Sequence, residues 1–116
     1  MTKALEIAQL YFDLSNKSDF EGIEKLLTPT TKYSSQNTGE YTGSEAILTM
    51  QRAFHGKFSH LKWKVNSINT TMNGVIVFDY DFYGKQHDGT AVHSSGLEYI
   101  TVLYGKIQDI EIRNKS

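Results

Sequence analysis

Between Ala4 and Leu14 the apolar residues Ala4, Ile7, Ala8, Tyr11, Phe12 and Leu14 recur at helical spacing, with Glu6, Gln9 and Asp13 opposite them. The 3.6-residue period predicts an amphipathic helix with Tyr11 near the centre of its buried stripe. "SDFE" at 18–21 has the form of a capping box and predicts a second, short helix carrying Phe20, Ile23, Leu26 and Leu27, which Thr28-Pro29 ends. "TGSE" at 42–45 repeats the box. It predicts a third helix that buries Ile47, Met50, Phe54 and Phe58, leaves Arg52 and Lys57 to solvent, and is weakened at its end by Gly56. The polar stretch "TKYSSQNTGEY" reads as a short strand at Lys32 to Ser35 followed by a loop.

After Ser59 the pattern changes to runs rich in Val, Ile, Phe, Tyr and Thr, punctuated by Asn73-Gly74, Asp88-Gly89 and Gly105. These are hairpin signals, and they predict four antiparallel strands near 60–70, 74–84, 90–103 and 106–113. Helices first and strands second is an α+β order. In "VIVFDYDFYG", Ile76, Phe78, Tyr80 and Phe82 share one face, while Val75, Val77, Asp79 and Asp81 share the other. A second face that starts with valines and ends with aspartates fits a sheet whose outer side is partly covered, which predicts a homodimer through Val75, Val77, Leu97 and Tyr99.

Composition narrows the field. The 116 residues suit one domain, 1–116, and the 39% hydrophobic and 22% charged content is that of an ordinary globular chain. No apolar run approaches the roughly 20 residues of a membrane helix, and "MTKALEIAQL" lacks the form of a signal peptide, so no membrane and a cytoplasmic location are expected. The absence of cysteine excludes disulfides, thiolate metal sites and a cysteine nucleophile. A net charge of −1, with Lys and Arg scattered, argues against nucleic acid.

Two residues carry candidate chemistry. Tyr11 lies on a buried helical face, where a phenol needs a partner; a core tyrosine bonded to a backbone carbonyl is the competing explanation. Glu98 interrupts the apolar strand "SSGLEYITV", where an unpaired carboxylate would be costly or would stay protonated. Alternation groups it with Ser94, Gly96, Ile100 and Val102, opposite Leu97, Tyr99 and Leu103. Both faces are mostly apolar, so the period leaves open whether Glu98 is wet or lines a cavity. His55, His60, His87 and His93 lack the compact clustering of a metal site, and no phosphate loop is present, so neither metal nor cofactor is expected.

"YFDLSNKSDFEGIEKLL", "YTGSEAI" and "LEYITVLYGKIQDIEI", in that order and spacing, resemble the nuclear transport factor 2 superfamily, in its ketosteroid isomerase-like and SnoaL-like branch. The resemblance spans nearly the whole chain. It implies a cone-shaped curved antiparallel sheet packed against three N-terminal helices, an α+β barrel whose mouth holds small apolar ligands and which pairs through the sheet. It places Tyr11 on the tyrosine, and Glu98 on the protonated acid, of the isomerases' oxyanion hole, a pairing that requires a carboxylic acid held neutral. The isomerases' basic aspartate falls on or near Ser35. Serine is no base at neutral pH, so that mechanism does not carry over intact. Asp79, Asp81 or His93 would supply the base only if a bulge turned one inward.

The resulting expectation is a pocket in which Tyr11 and Glu98 sit among Phe12, Phe54, Phe58, Trp63, Phe78 and Tyr80, with Ser35 also on its wall. Its ligand would be a small carbonyl-containing or polycyclic molecule. The alternatives are an acid–base isomerase or cyclase acting through enolate stabilisation, and a non-catalytic dimeric interaction domain whose cavity is filled by side chains.

Overall fold

A computed structural model of the chain describes residues 3–115. Helix α1 (Lys3–Asn16) buries Ile7, Ala8, Tyr11 and Phe12, the stripe its period requires. Its last residue ties it to the sheet. The Asn16 amide donates to the Trp63 carbonyl (3.1 Å) and accepts from the Trp63 N–H (2.7 Å), doing for that residue what a neighbouring strand would do.

Helix α2 (Phe20–Glu24) starts one residue later than the capping box implies. Asp19 is the cap, its Oδ1 accepting from Gly22 N–H at 3.0 Å. Ser18 instead adopts φ 52°, and its hydroxyl oxygen lies 2.8 Å from His55 Nδ1. Leu26 and Leu27 are buried beyond the end of this helix. The second box also fails. Helix α3 (Ser44–His55) begins after Gly43 at φ 94°, a conformation that suits glycine, and no side chain caps it. Phe58 does not extend α3: Gly56 ends the helix, and Phe58 opens the next strand with its ring against Phe54 and Phe82.

The strands are β1 (Lys32–Ser35), β2 (Gly39–Thr42), β3 (Phe58–Thr70), β4 (Ile76–Gln86), β5 (Ala91–Leu103) and β6 (Lys106–Asn114). They form one curved, open sheet in the order β2-β1-β6-β5-β4-β3. The loop expected after β1 contains β2, which pairs antiparallel with β1 from Lys32↔Thr42 to Ser35↔Gly39. It is a polar edge strand, so it carries no apolar alternation to betray it. The sheet is antiparallel except at β1 and β6, which run parallel and join the first half of the chain to the last strand. Val75 falls in the turn before β4, and Thr71 N–H donates to its carbonyl.

Register shifts between Val65 and Ser67, and between Thr101 and Val102, add local twist. The inner face packs Ile76, Phe78, Ile100, Ile107 and Ile110 against Ile7, Phe12, Ile23 and Ile47. Gly96 on β5 allows a close approach on this face: a Cβ there would lie 2.6 Å from the Tyr80 hydroxyl. Among the described residues no helix is long and apolar enough to cross a membrane.

Candidate functional site

The pleat of β5 decides the position that its period left open. Glu98 pairs with Phe78 of β4 and shares the inner face with Gly96 and Ile100, leaving Leu97 and Tyr99 on the outer side. The residue is 3% exposed, and its carboxyl has no hydrogen-bond partner among the described residues. Burial strips water from the charged form and replaces it with nothing, so the pKa rises to about 8. At neutral pH the group is a neutral acid with a proton to donate.

Tyr11 reaches the same space from α1. Its oxygen accepts from Gln51 Nε2 at 2.8 Å, so the phenol's partner is a side chain of α3. Burial first, and then the nearby Glu98 carboxyl, hold Tyr11 well above the ordinary range, and the same two causes raise Tyr33 and Tyr80. Repulsion from a Glu98 charge works against each phenolate. The cluster is therefore a set of protonated donors at neutral pH.

These groups line a cavity of about 240 Å³ between the helices and the sheet. Phe54, Phe58, Trp63 and Phe82 form a continuous aromatic wall, with ring centroids 4.9 to 6.2 Å apart. Phe12, Tyr80 and Ser35 also border the space, the Ser35 hydroxyl accepting from Asn37 N–H at 3.0 Å. Phe78 does not. It is fully buried in the core beneath, its ring 4.4 Å from that of Phe12, because Phe12 stands between it and the open space.

Gln51, which the sequence reading did not single out, and His55, which it weighed only as a metal ligand, belong here. Gln51 and His55 follow Ile47 at steps of four along α3 and are buried with it. Polar residues on a buried helical stripe were the available signal. The amide Oε1 of Gln51 is buried without a partner. His55 packs against Phe20 and Trp63, and its Nδ1 lies 2.8 Å from Ser18 Oγ. Its other ring nitrogen has no partner among the described residues, and burial lowers its pKa to about 4.

No bulge brings Asp79, Asp81 or His93 inward. The register shift lies in β3 at Asn66, and β4 stays in phase, so all three remain on the outer face. There Asp81 accepts from Ser95 (2.6 Å) and Asn66 (2.9 Å) and lies 3.1 Å from His93, while Asp79 pairs with Lys115 (2.7 Å). These donors hold both carboxyls below the usual range, so neither is suited to take up a proton.

A curved open sheet laid over three helices, with a cavity between, is the nuclear transport factor 2-like fold, and solved structures match it over almost the entire chain. A nuclear transport factor 2-like protein of unknown function from Burkholderia pseudomallei superposes with TM-score 0.86 at 11% identity, over 99% of this chain and 92% of that one. TerC, co-crystallised with polyporic acid, gives 0.84 at 13%, over 98% and 92%. An epoxide hydrolase of the LEH-like type from M. tuberculosis gives 0.83 at 14%, over 97% and 79%. At these identities the likeness is one of fold alone. No curated protein sequence matches the chain. The SnoaL-like domain model matches residues 8–110, and the chain belongs to that family.

The two displaced titrations predict an unusual stability profile. Glu98 has a folded pKa above its unfolded value, so its contribution is present in full below about 4.5 and is lost as pH rises towards about 8. His55 has a folded pKa below its unfolded value, so its contribution is complete above about 6.5 and is lost as pH falls towards about 4. The two oppose each other between the unfolded values. Urea unfolding should give nearly level stability from about pH 5 to 6.5 and a loss of roughly 1 kcal/mol by pH 8. Glu98→Gln should instead gain stability from pH 5 to 6.5 and then stay level. Parallel profiles for the two proteins would contradict the burial of an ionisable Glu98.

Proposed function

We propose that the protein binds a compact carbonyl-containing molecule in the cavity between α1, α3 and the sheet, with Tyr11 and Glu98 donating to the carbonyl oxygen. The observation that carries this reading is Glu98: a protonated carboxylic acid, without a protein partner among the described residues, on the wall of a cavity lined by both aromatic rings and polar side chains. Such a group costs stability unless a ligand uses it. The open volume of about 240 Å³ is larger than the roughly 150 Å³ that holds benzene and smaller than a drug-sized site of about 300 Å³ or more. That favours one or two rings over a larger polycycle, and open space argues against a pure interaction domain with a filled core. Use of this fold to hold a small organic molecule is also consistent with TerC, crystallised with polyporic acid.

A second reading, turnover at the same carbonyl, is favoured by His55. A neutral imidazole on the cavity wall is a proton acceptor that Ser35 cannot be. It would take a proton from the carbon beside the carbonyl while Tyr11 and Glu98 hold the enolate oxygen, then return a proton to that carbon. An acceptor with a pKa of about 4 is weak, which ranks binding above catalysis.

We also propose a homodimer through the outer sheet face, where Val77, Leu97 and Tyr99 are half-buried and apolar beside the Asp79–Lys115 pair. Charged residues at Val77 and Tyr99 should convert a dimer into folded monomers in sedimentation. A wild-type monomer would remove this proposal without touching the cavity.

Trp63 is the one tryptophan of the chain and lies in the cavity wall, so its emission reports occupancy. Titration with 1-indanone should give a saturable change that Tyr11→Phe weakens by about 5- to 10-fold, the loss of one hydrogen bond. Glu98→Gln should weaken it less, because the amide still donates. Absence of any saturable change in the wild type would contradict the binding reading. In deuterium oxide, turnover predicts that the same samples exchange the indanone α-protons faster than buffer, and that His55→Gln abolishes the excess.

A further inference from the structure

The hydrogen-bonding needs of the cavity specify more than a carbonyl. Gln51 donates its Nε2 to the Tyr11 oxygen at 2.8 Å, so the Tyr11 proton is not committed to Gln51; the Ser15 side chain, one turn further along α1, is the other group within reach of the phenol. The same amide then presents Oε1, buried and without a donor, in a side chain that is 6% exposed and borders the cavity. The Glu98 carboxyl, which has no protein hydrogen-bond partner among the described residues, borders the same cavity. A buried amide oxygen with no donor favours whatever ligand group satisfies it. The cavity therefore offers donors and the unfilled acceptor of Gln51, with the Thr38 hydroxyl a second buried polar atom on its wall without a partner among the described residues, and Phe54 and Trp63 offer an apolar surface.

We propose that the ligand is a compact, uncharged ring compound carrying an N–H or O–H donor next to its carbonyl, such as a lactam, an enol or a hydroxy-ketone. Gln51 Oε1 accepts from the donor while Tyr11 and Glu98 donate to the carbonyl. This rests on the carbonyl-binding reading and sharpens it: a ketone alone satisfies Tyr11 and Glu98 but leaves Gln51 Oε1 unfilled. Gln51 is thus a specificity-determining residue, and it discriminates by the penalty of leaving its oxygen unpaired.

Three probes of near-equal size separate the terms: 2-quinolone, with N–H beside C=O; N-methyl-2-quinolone, with C=O alone; and naphthalene, with neither. Each is titrated by Trp63 fluorescence and calorimetry. The expected order is 2-quinolone tightest, by about tenfold or more over its N-methyl form, with naphthalene weakest. In Gln51→Met, which keeps the length of the side chain but lacks the amide oxygen, the two quinolones should bind within about twofold of each other. Equal binding of the two quinolones to the wild type, with both tighter than naphthalene, overturns the Gln51 assignment and leaves the carbonyl reading standing. Equal binding of all three, or binding of none, overturns both. A preference for 2-quinolone that persists in Gln51→Met also overturns the assignment, because the donor is then met by another group.

Discussion

A buried carboxyl group without a protein hydrogen-bond partner among the described residues is the constraint around which this molecule is arranged. Ionised, Glu98 would face the full desolvation penalty of an apolar interior, so the folded protein keeps it protonated. Everything adjacent accords with that choice. Tyr11, Tyr33 and Tyr80 are uncharged donors around it, and His55, which borders the same cavity, is held neutral by burial. A cationic neighbour would have drawn the proton off Glu98 and turned a donor into an acceptor; among the described residues no lysine or arginine lines the cavity.

The fold supplies this environment with few devices. The twofold pleat of β4 and β5 sets Glu98 inward opposite Phe78, and Gly96 clears the place that Tyr80 needs. The helices bring the complementary groups: Tyr11 from α1 and Gln51 from α3 meet in one hydrogen bond that crosses between two elements far apart in sequence. Asn16 fixes the end of α1 to Trp63, and so ties the aromatic wall to the helix that carries Tyr11. Loss of that clamp would loosen both ends of the cavity together.

Much of this was legible in the chain. The apolar stripe of α1 located Tyr11, and the hairpin dipeptides located the four long strands. The family resemblance implied that Glu98 and Tyr11 share one space. Alternation alone did not place Glu98, because both faces of β5 are apolar, one lining the interior and the other carrying Leu97 and Tyr99 outward. Strand β2 was hidden by its polarity, since an edge strand is held by backbone pairing and needs no apolar face. Gln51 drew no reading from the sequence, and His55 was weighed there only as a metal ligand. They lie on the stripe of Ile47, and their burial depends on a cavity that local periodicity does not encode. The capping boxes misled for a related reason: Ser18 had a tertiary partner in His55, which took its hydroxyl away from the helix end.

The charge state of Glu98 is the point on which site, ligand chemistry and pH behaviour all turn. Selective carbon-13 labelling of the glutamate side chains, with Glu98→Gln to assign the resonance, allows the Glu98 carboxyl to be titrated directly by NMR. A midpoint near 8, well separated from those of the surface glutamates, is the predicted result. A midpoint at or below about 4.5 would show a carboxylate in contact with water, and would contradict the buried donor from which the cavity's chemistry is derived.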